Sequence, residues 1–356
     1  MEEQTVMQNK SDTPKKKVKH KGLIIAGSIL GGLVILVLIL YFVLTCNTQI
    51  IVGFIQKATY GDNPFNSYEP YYEPINGKKD NGQYLISEIK YDTEYPNSYL
   101  DITYPDENRA TDRPTLFYFH GGGFFAGSKN MGDPMAETDA TALIDDICDA
   151  GYNIVNVDYA LVPDCRFPVP LIQANRAFAY IRNHAAEYHL NMNKVVIMGS
   201  SAGAIMASQL GSIITNPEYA GLLGITPAFK PEQVKAVVLD DAPLDYEEFS
   251  FATKILVGNY VKGSIYLNRD DIKRYNNIKS LTANYPAAVL LGSEYRHDMN
   301  VMHEELNKLG CEHILIDPYA ERGETKQHCF VASERVDPVA KDAFYRMMAF
   351  INEKTR

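Results

Sequence analysis

The sequence predicts an α/β fold: a mainly parallel sheet covered by helices on both faces, preceded by a single N-terminal transmembrane helix. Three observations predict it. From about Tyr84 to the end, short apolar runs bounded by turn residues alternate with stretches of helical spacing. A G-x-S-x-G motif, Gly199-Ser200-Ser201-Ala202-Gly203, stands between one such run and a helix-forming stretch. Gly22 to Thr45 is a run of 24 residues without a charge.

That run is longer than the apolar core of a signal peptide, and it does not end in small residues of the A-x-A kind. It is also apolar all round, which a core helix of this length rarely is. It therefore reads as a retained anchor in the lipid bilayer over residues 22–45. Lys15, Lys16, Lys17, Lys19 and Lys21 crowd its amino-terminal side. Positive flanks stay cytoplasmic, so residues 1–21 are expected inside and the rest of the chain outside. Residues 46–84, rich in Tyr, Asn, Gly and Pro, are expected to be a stalk or cap segment. Residues 85–356 form the expected catalytic domain.

Ile86–Ile89 and Ser98–Tyr104 read as an opening antiparallel pair. Thr115–Phe119, Asn153–Val157, Val195–Met198, Ala236–Leu239, Ala287–Leu291 and His313–Ile316 read as buried strands. Ala174, Ala177, Phe178 and Ile181 recur at helical spacing, and a last helix is expected from about Pro338 to Glu353. Sheets of this kind carry their chemistry at the carboxyl ends of the strands.

Composition narrows the function. The 356 residues carry a formal net charge of −10, which argues against a nucleic-acid partner. The first 21 residues hold six Lys against three acidic residues, so the remainder is more acidic still. Five cysteines are scattered without a C-x-x-C pair, so a structural zinc site has no support, and the sequence leaves their pairing open. Neither a metal nor an organic cofactor is implied.

The G-x-S-x-G motif arises by chance in about one chain of this length in ten, so its context decides. It follows a strand and opens a helix, as a nucleophile on a tight turn requires, and Ser201 is the expected nucleophile. Ser200 lacks the flanking symmetry of glycines. His120-Gly121-Gly122-Gly123 follows the strand ending at Phe119, and bare glycine lets backbone N–H groups face a developing oxyanion. The expected oxyanion hole is Gly121, Gly122 and Ala202, with His120 fixing the loop. The base must come late in the chain, and His328, in a polar loop after the last strand, is favoured over His297, His303 and His313. For the acid, Glu294 lies closest to the end of the strand Ala287–Leu291, while Asp298, four positions on, is the commoner residue type. The segment from about Asp241 to Ser280 is read as either a lid and pocket wall or ordinary helical packing.

These residues resemble the hormone-sensitive-lipase branch of the α/β-hydrolases, the bacterial esterase and acetyl-esterase type, from about Thr115 to the C-terminus. The likeness is carried by His120–Phe124, Val157-Asp158-Tyr159-Ala160-Leu161-Val162-Pro163, Phe167-Pro168, Gly199–Gly203 and His328-Cys329-Phe330. The resemblance implies a D-x-x-x-D pattern whose first Asp is the catalytic acid. Here that stretch is Glu294-Tyr295-Arg296-His297-Asp298, so the carry-over falls on Glu294. Ser200 and Ala204 stand where the family usually has Asp and Gly, and its amino-terminal cap is not recognisable. The implied activity is hydrolysis of short-chain esters, acetyl groups on a small molecule or glycan included. Amide hydrolysis, acyl transfer or a catalytically dead, membrane-tethered binding module are the rivals.

Overall fold

The computed structural model describes residues 18–61, 66–130 and 141–356, so most of the basic tail lies outside the described residues. The chain divides into two compact units, Met1–Thr45 and Cys46–Arg356. In the first, the helix Val18–Cys46 includes a stretch, Gly22–Cys46, that is long and apolar enough to cross a membrane.

The second unit is built on nine strands: β1 (Asn76–Lys78), β2 (Tyr84–Lys90), β3 (Tyr99–Tyr104), β4 (Pro114–Phe119), β5 (Asn153–Val157), β6 (Asn191–Ser200), β7 (Val234–Asp240), β8 (Ala287–Leu291) and β9 (His313–Ile316). They form one sheet in the order β1-β2-β3-β5-β4-β6-β7-β8-β9. β1, β2, β3 and β5 pair antiparallel in succession, and from β5 through β4 to β9 every pairing is parallel. Every strand expected from the sequence is present, and β1 is an addition at the edge.

Period-two alternation splits the side chains between two cores. Phe117 and Phe119 of β4 enter one, with the helices Val169–Asn183, Ala202–Thr215 and Arg296–Leu309. Leu116 and Tyr118 enter the other, with the helices Thr141–Asp149 and Pro338–Lys354. The sheet is thus covered on both faces. The strand ends fall in line, Phe119 opposite Gly199, Gly199 opposite Leu239, and Asp240 opposite Leu291. The loops that follow β4, β6, β7 and β8 therefore emerge side by side.

The segment expected to be a stalk or cap begins as a helix packed within the second unit. Residues 49–60 form a helix, Gln49–Tyr60, whose Val52 is buried in the first core. Gln56, also buried, donates from Nε2 to the carbonyls of Phe125 (2.9 Å) and Val162 (2.8 Å). At the helix start the Thr48 N–H donates to Gly263 O (3.0 Å) and Asn259 Nδ2 to Gln49 Oε1 (2.9 Å). An apolar stripe with one amide able to satisfy two stranded carbonyls explains why this segment docks instead of extending.

Candidate active site

Ser201 stands between β6 and the helix Ala202–Thr215 with φ 52 and ψ −115, a conformation L-residues avoid unless the surroundings impose it. The surroundings here are two glycines. A Cβ on Gly203 would lie 1.9 Å from Phe119 O, and one on Gly199 2.2 Å from the Gly203 carbonyl carbon. Only bare backbone lets strand, turn and helix approach this closely. The turn is tied down by Ser201 N–H donating to Asp240 O (2.8 Å). Ser200, the neighbouring hydroxyl, is buried and bonded to Tyr118 (3.0 Å) and Asp240 (3.1 Å), away from the cavity.

Ser201 and His328 line one cavity of about 190 Å3, together with Gly123, Phe124, Ala202, Ile205, Leu256, Val257 and Glu294. Of the expected oxyanion residues, Ala202 borders this cavity, whereas Gly121 and Gly122 are not among its lining residues; Gly123 is. The carbonyl of Gly121 instead accepts from His120 Nδ1 (2.8 Å), and the buried His120 ring stacks on Tyr159 with centroids 4.3 Å apart. Burial pushes the His120 pKa down to about 4, so the ring is neutral and holds the loop as expected. The strongly left-handed φ of Gly122, +97, turns the chain there, where a Cβ would strike Ala126 O at 2.3 Å.

The partner of His328 differs from both expected acids. His328 Nδ1 lies 2.6 Å from Asp241 Oδ2, and facing a carboxylate this nitrogen carries the proton. Asp241 follows β7, is buried, and also accepts from Ser293 N (2.8 Å), Ser293 Oγ (2.6 Å), Glu294 N (3.0 Å) and Tyr295 N (2.9 Å). Burial alone would raise its pKa. The hydrogen bond and charge of His328 and the Ser293 donors outweigh that and hold the carboxyl below its ordinary value. Glu294 Oε2 is 3.5 Å from the same nitrogen, but its side chain is 57% exposed. It contributes its backbone N–H to Asp241. Asp298 is buried beyond the ring and accepts from Leu244 N and Asp245 N, both at 2.7 Å, so it braces the loop leaving Asp241.

The other histidines weighed for the base are engaged elsewhere: His303 Nδ1 meets His313 Nε2 at 2.8 Å, and His297 faces Asp245 at 3.6 Å. The aromatic residues of the 241–280 segment mostly pack, Tyr260 stacking on Phe124 at 3.4 Å, while Ser250, Ala252, Thr253, Leu256 and Val257 give the cavity its wall. Both sequence readings of that segment are therefore partly met. All five cysteines are free thiols, and among the described residues no group of three or more His, Cys, Asp or Glu is placed to hold a metal ion.

Comparison with known proteins follows the same outline. The BD-FAE family model matches residues 100–305. An acetyl esterase of Salmonella paratyphi B is 33% identical over 115 residues, 32% of this chain and 33% of that protein. The match thus spans about a third of the length of such relatives. Among solved structures, esterase B from Lactobacillus rhamnosis superposes with a TM-score of 0.63 at 16% identity, covering 86% of this chain and 92% of its own. A truncated carbohydrate esterase from gut microbiota gives 0.60 at 16% identity, covering 79% and 99%. These structural likenesses lie in the fold.

Proposed function

The chain belongs to the BD-FAE family of α/β-hydrolase esterases, and from that premise we propose that it is a serine carboxylesterase acting on short-chain esters, acetyl esters of small molecules or glycans foremost. The observation that carries the reading is the shared cavity of Ser201 and His328, with His328 hydrogen-bonded behind by the buried Asp241.

In the proposed reaction His328 Nε2, unprotonated because Nδ1 holds the proton toward Asp241, accepts the Ser201 hydroxyl proton. Oγ attacks the carbonyl carbon, and the imidazolium is stabilised by the Asp241 carboxylate. The amides of Gly123 and Ala202, which border the cavity, take the oxyanion. His328 then gives its proton to the leaving alcohol; water, deprotonated by the same nitrogen, attacks the acyl carbon, and the proton returns to Ser201 Oγ as the acid is released. The acid is Asp241 rather than Glu294 or Asp298. Support for a short acyl chain comes from the small cavity walled by Ile205, Leu256 and Val257 and from the acetyl esterase relatives.

Residues 22–45 anchor the enzyme in a membrane, with the amino terminus cytoplasmic and the catalytic domain outside; the lysines before the span and the length of the apolar helix support this. Turnover of p-nitrophenyl acetate and labelling by a fluorophosphonate probe test the chemistry. Both should vanish in Ser201→Ala with folding intact. Equal turnover in the variant would sink the assignment. Hydrolysis of a membrane-impermeant ester by intact cells checks the orientation.

A further inference from the structure

We propose that the outward face of the helix Gln49–Tyr60 is a lipid-contact surface, with Ile50 and Phe54 seated in the bilayer interface. This rests on the membrane-anchor reading and is independent of the ester chemistry. The helix has two distinct sides. Val52 and Gln56 are buried, whereas Ile50 and Phe54, one turn apart, are exposed, Phe54 to 75%, and Lys57 and Ala58 continue the same stripe. A lone exposed apolar residue is ordinary. What distinguishes this pair is its place in the chain.

Only Asn47 and Thr48 separate Cys46, the end of the apolar helix, from Gln49. Two residues reach roughly 7 Å even when extended, so no spacer holds this face away from lipid. Nor can the helix roll its apolar stripe inward. Thr48, Gln49 and Gln56 fix its rotation through Gly263, Asn259 and the carbonyls of Phe125 and Val162. An amphipathic helix held in this way lies with its apolar side in the headgroup boundary.

The chain contains no tryptophan, which supplies the test. Full-length Phe54→Trp, reconstituted in nanodiscs of phosphatidylcholine and phosphatidylglycerol, should emit to the blue of Tyr345→Trp. It should also be quenched several-fold more strongly by bromine-labelled acyl chains. Tyr345 is 67% exposed on the helix Pro338–Lys354, which covers the opposite face of the sheet. Ile50→Trp is a second reporter on the same stripe. Matching emission and quenching for all three variants in reconstituted protein overturns the surface. Failure of the chain to enter the discs removes the anchor, and the surface with it, while leaving turnover of p-nitrophenyl acetate to judge the esterase reading separately.

Discussion

His328 and Asp241 meet at 2.6 Å between ring nitrogen and carboxylate oxygen, and the carboxylate is itself clasped by Ser293, Glu294 and Tyr295. The acid is thus fixed by donors on the loop after β8 while its own backbone belongs to the end of β7. Asp241→Asn should lower kcat by about 10³–10⁴-fold, because an amide facing Nδ1 disfavours the tautomer that leaves Nε2 free. Glu294→Gln, removing an exposed and solvent-screened carboxylate, should cost less than about ten-fold. Steady-state kinetics on one ester decide between them, and the reverse ranking would return the role to Glu294.

Glycine at the elbow is a steric requirement. Gly203→Ala should cost more than ~3 kcal/mol and abolish activity, since its methyl would sit 1.9 Å from Phe119 O. Gly221→Ala, inside the helix Pro217–Leu223 with nothing within 4 Å of the added carbon, should be neutral or stabilising by up to about 1 kcal/mol. Thermal melts of the two variants provide the comparison.

On the proposed reading, cavity size sets the acyl preference. With about 190 Å3 available, kcat/KM should fall at least about ten-fold between butyrate and octanoate p-nitrophenyl esters. Leu256→Ala opens the wall and should shift the optimum to a longer chain. An unchanged chain-length profile would mean the acyl group lies elsewhere.

Lys129 is buried among Glu88, Asp101 (3.3 Å) and Asp158 (3.9 Å), and burial, with the two neighbouring carboxylates adding to it, pushes the Asp158 pKa up to about 7 despite the lysine. Between its ordinary value near 3.8 and about 7, the folded protein keeps a proton on Asp158 that the unfolded chain has lost. This contribution therefore makes stability fall as pH rises through that window, by at most about 1.4 kcal/mol per pH unit. Asp158→Asn, which still offers an oxygen to Lys129 N–H, should flatten that slope in melts from pH 5 to pH 8.

Local constraints were legible in the sequence, and tertiary ones were not. That Ser201 and His328 would share one cavity could be read because a strand-to-helix turn and chain order nearly dictate their places. The buried strands announced themselves as apolar runs. β1, Asn76-Gly77-Lys78, has no apolar signal and exists only because β2 offers it an edge. Asp241, the acid proposed above, was not foreseen because two strand ends, β7 and β8, lie side by side, Asp241 N–H donating to Leu291 O at 2.9 Å, so sequence order fits an acid on either. The Asp240-Asp241 pair at the end of the strand Ala236–Leu239 was the available signal. Gly123 borders the cavity in place of Gly121 and Gly122, because the turn at Gly122 carries the chain round before it faces inward. The helix Gln49–Tyr60 was hidden by its proximity to the apolar run, whose composition it continues.

The double grip of Gln56 on Phe125 and Val162 determines where the polypeptide can be trimmed. A version released from its apolar helix at Cys46 keeps that grip and should remain folded and water-borne. One beginning at residue 85, the boundary composition suggests, discards the amide and leaves two interior carbonyls without a donor, a few residues from Gly123. Loss of activity in such a shortened enzyme would report a loosened glycine loop, not a need for lipid.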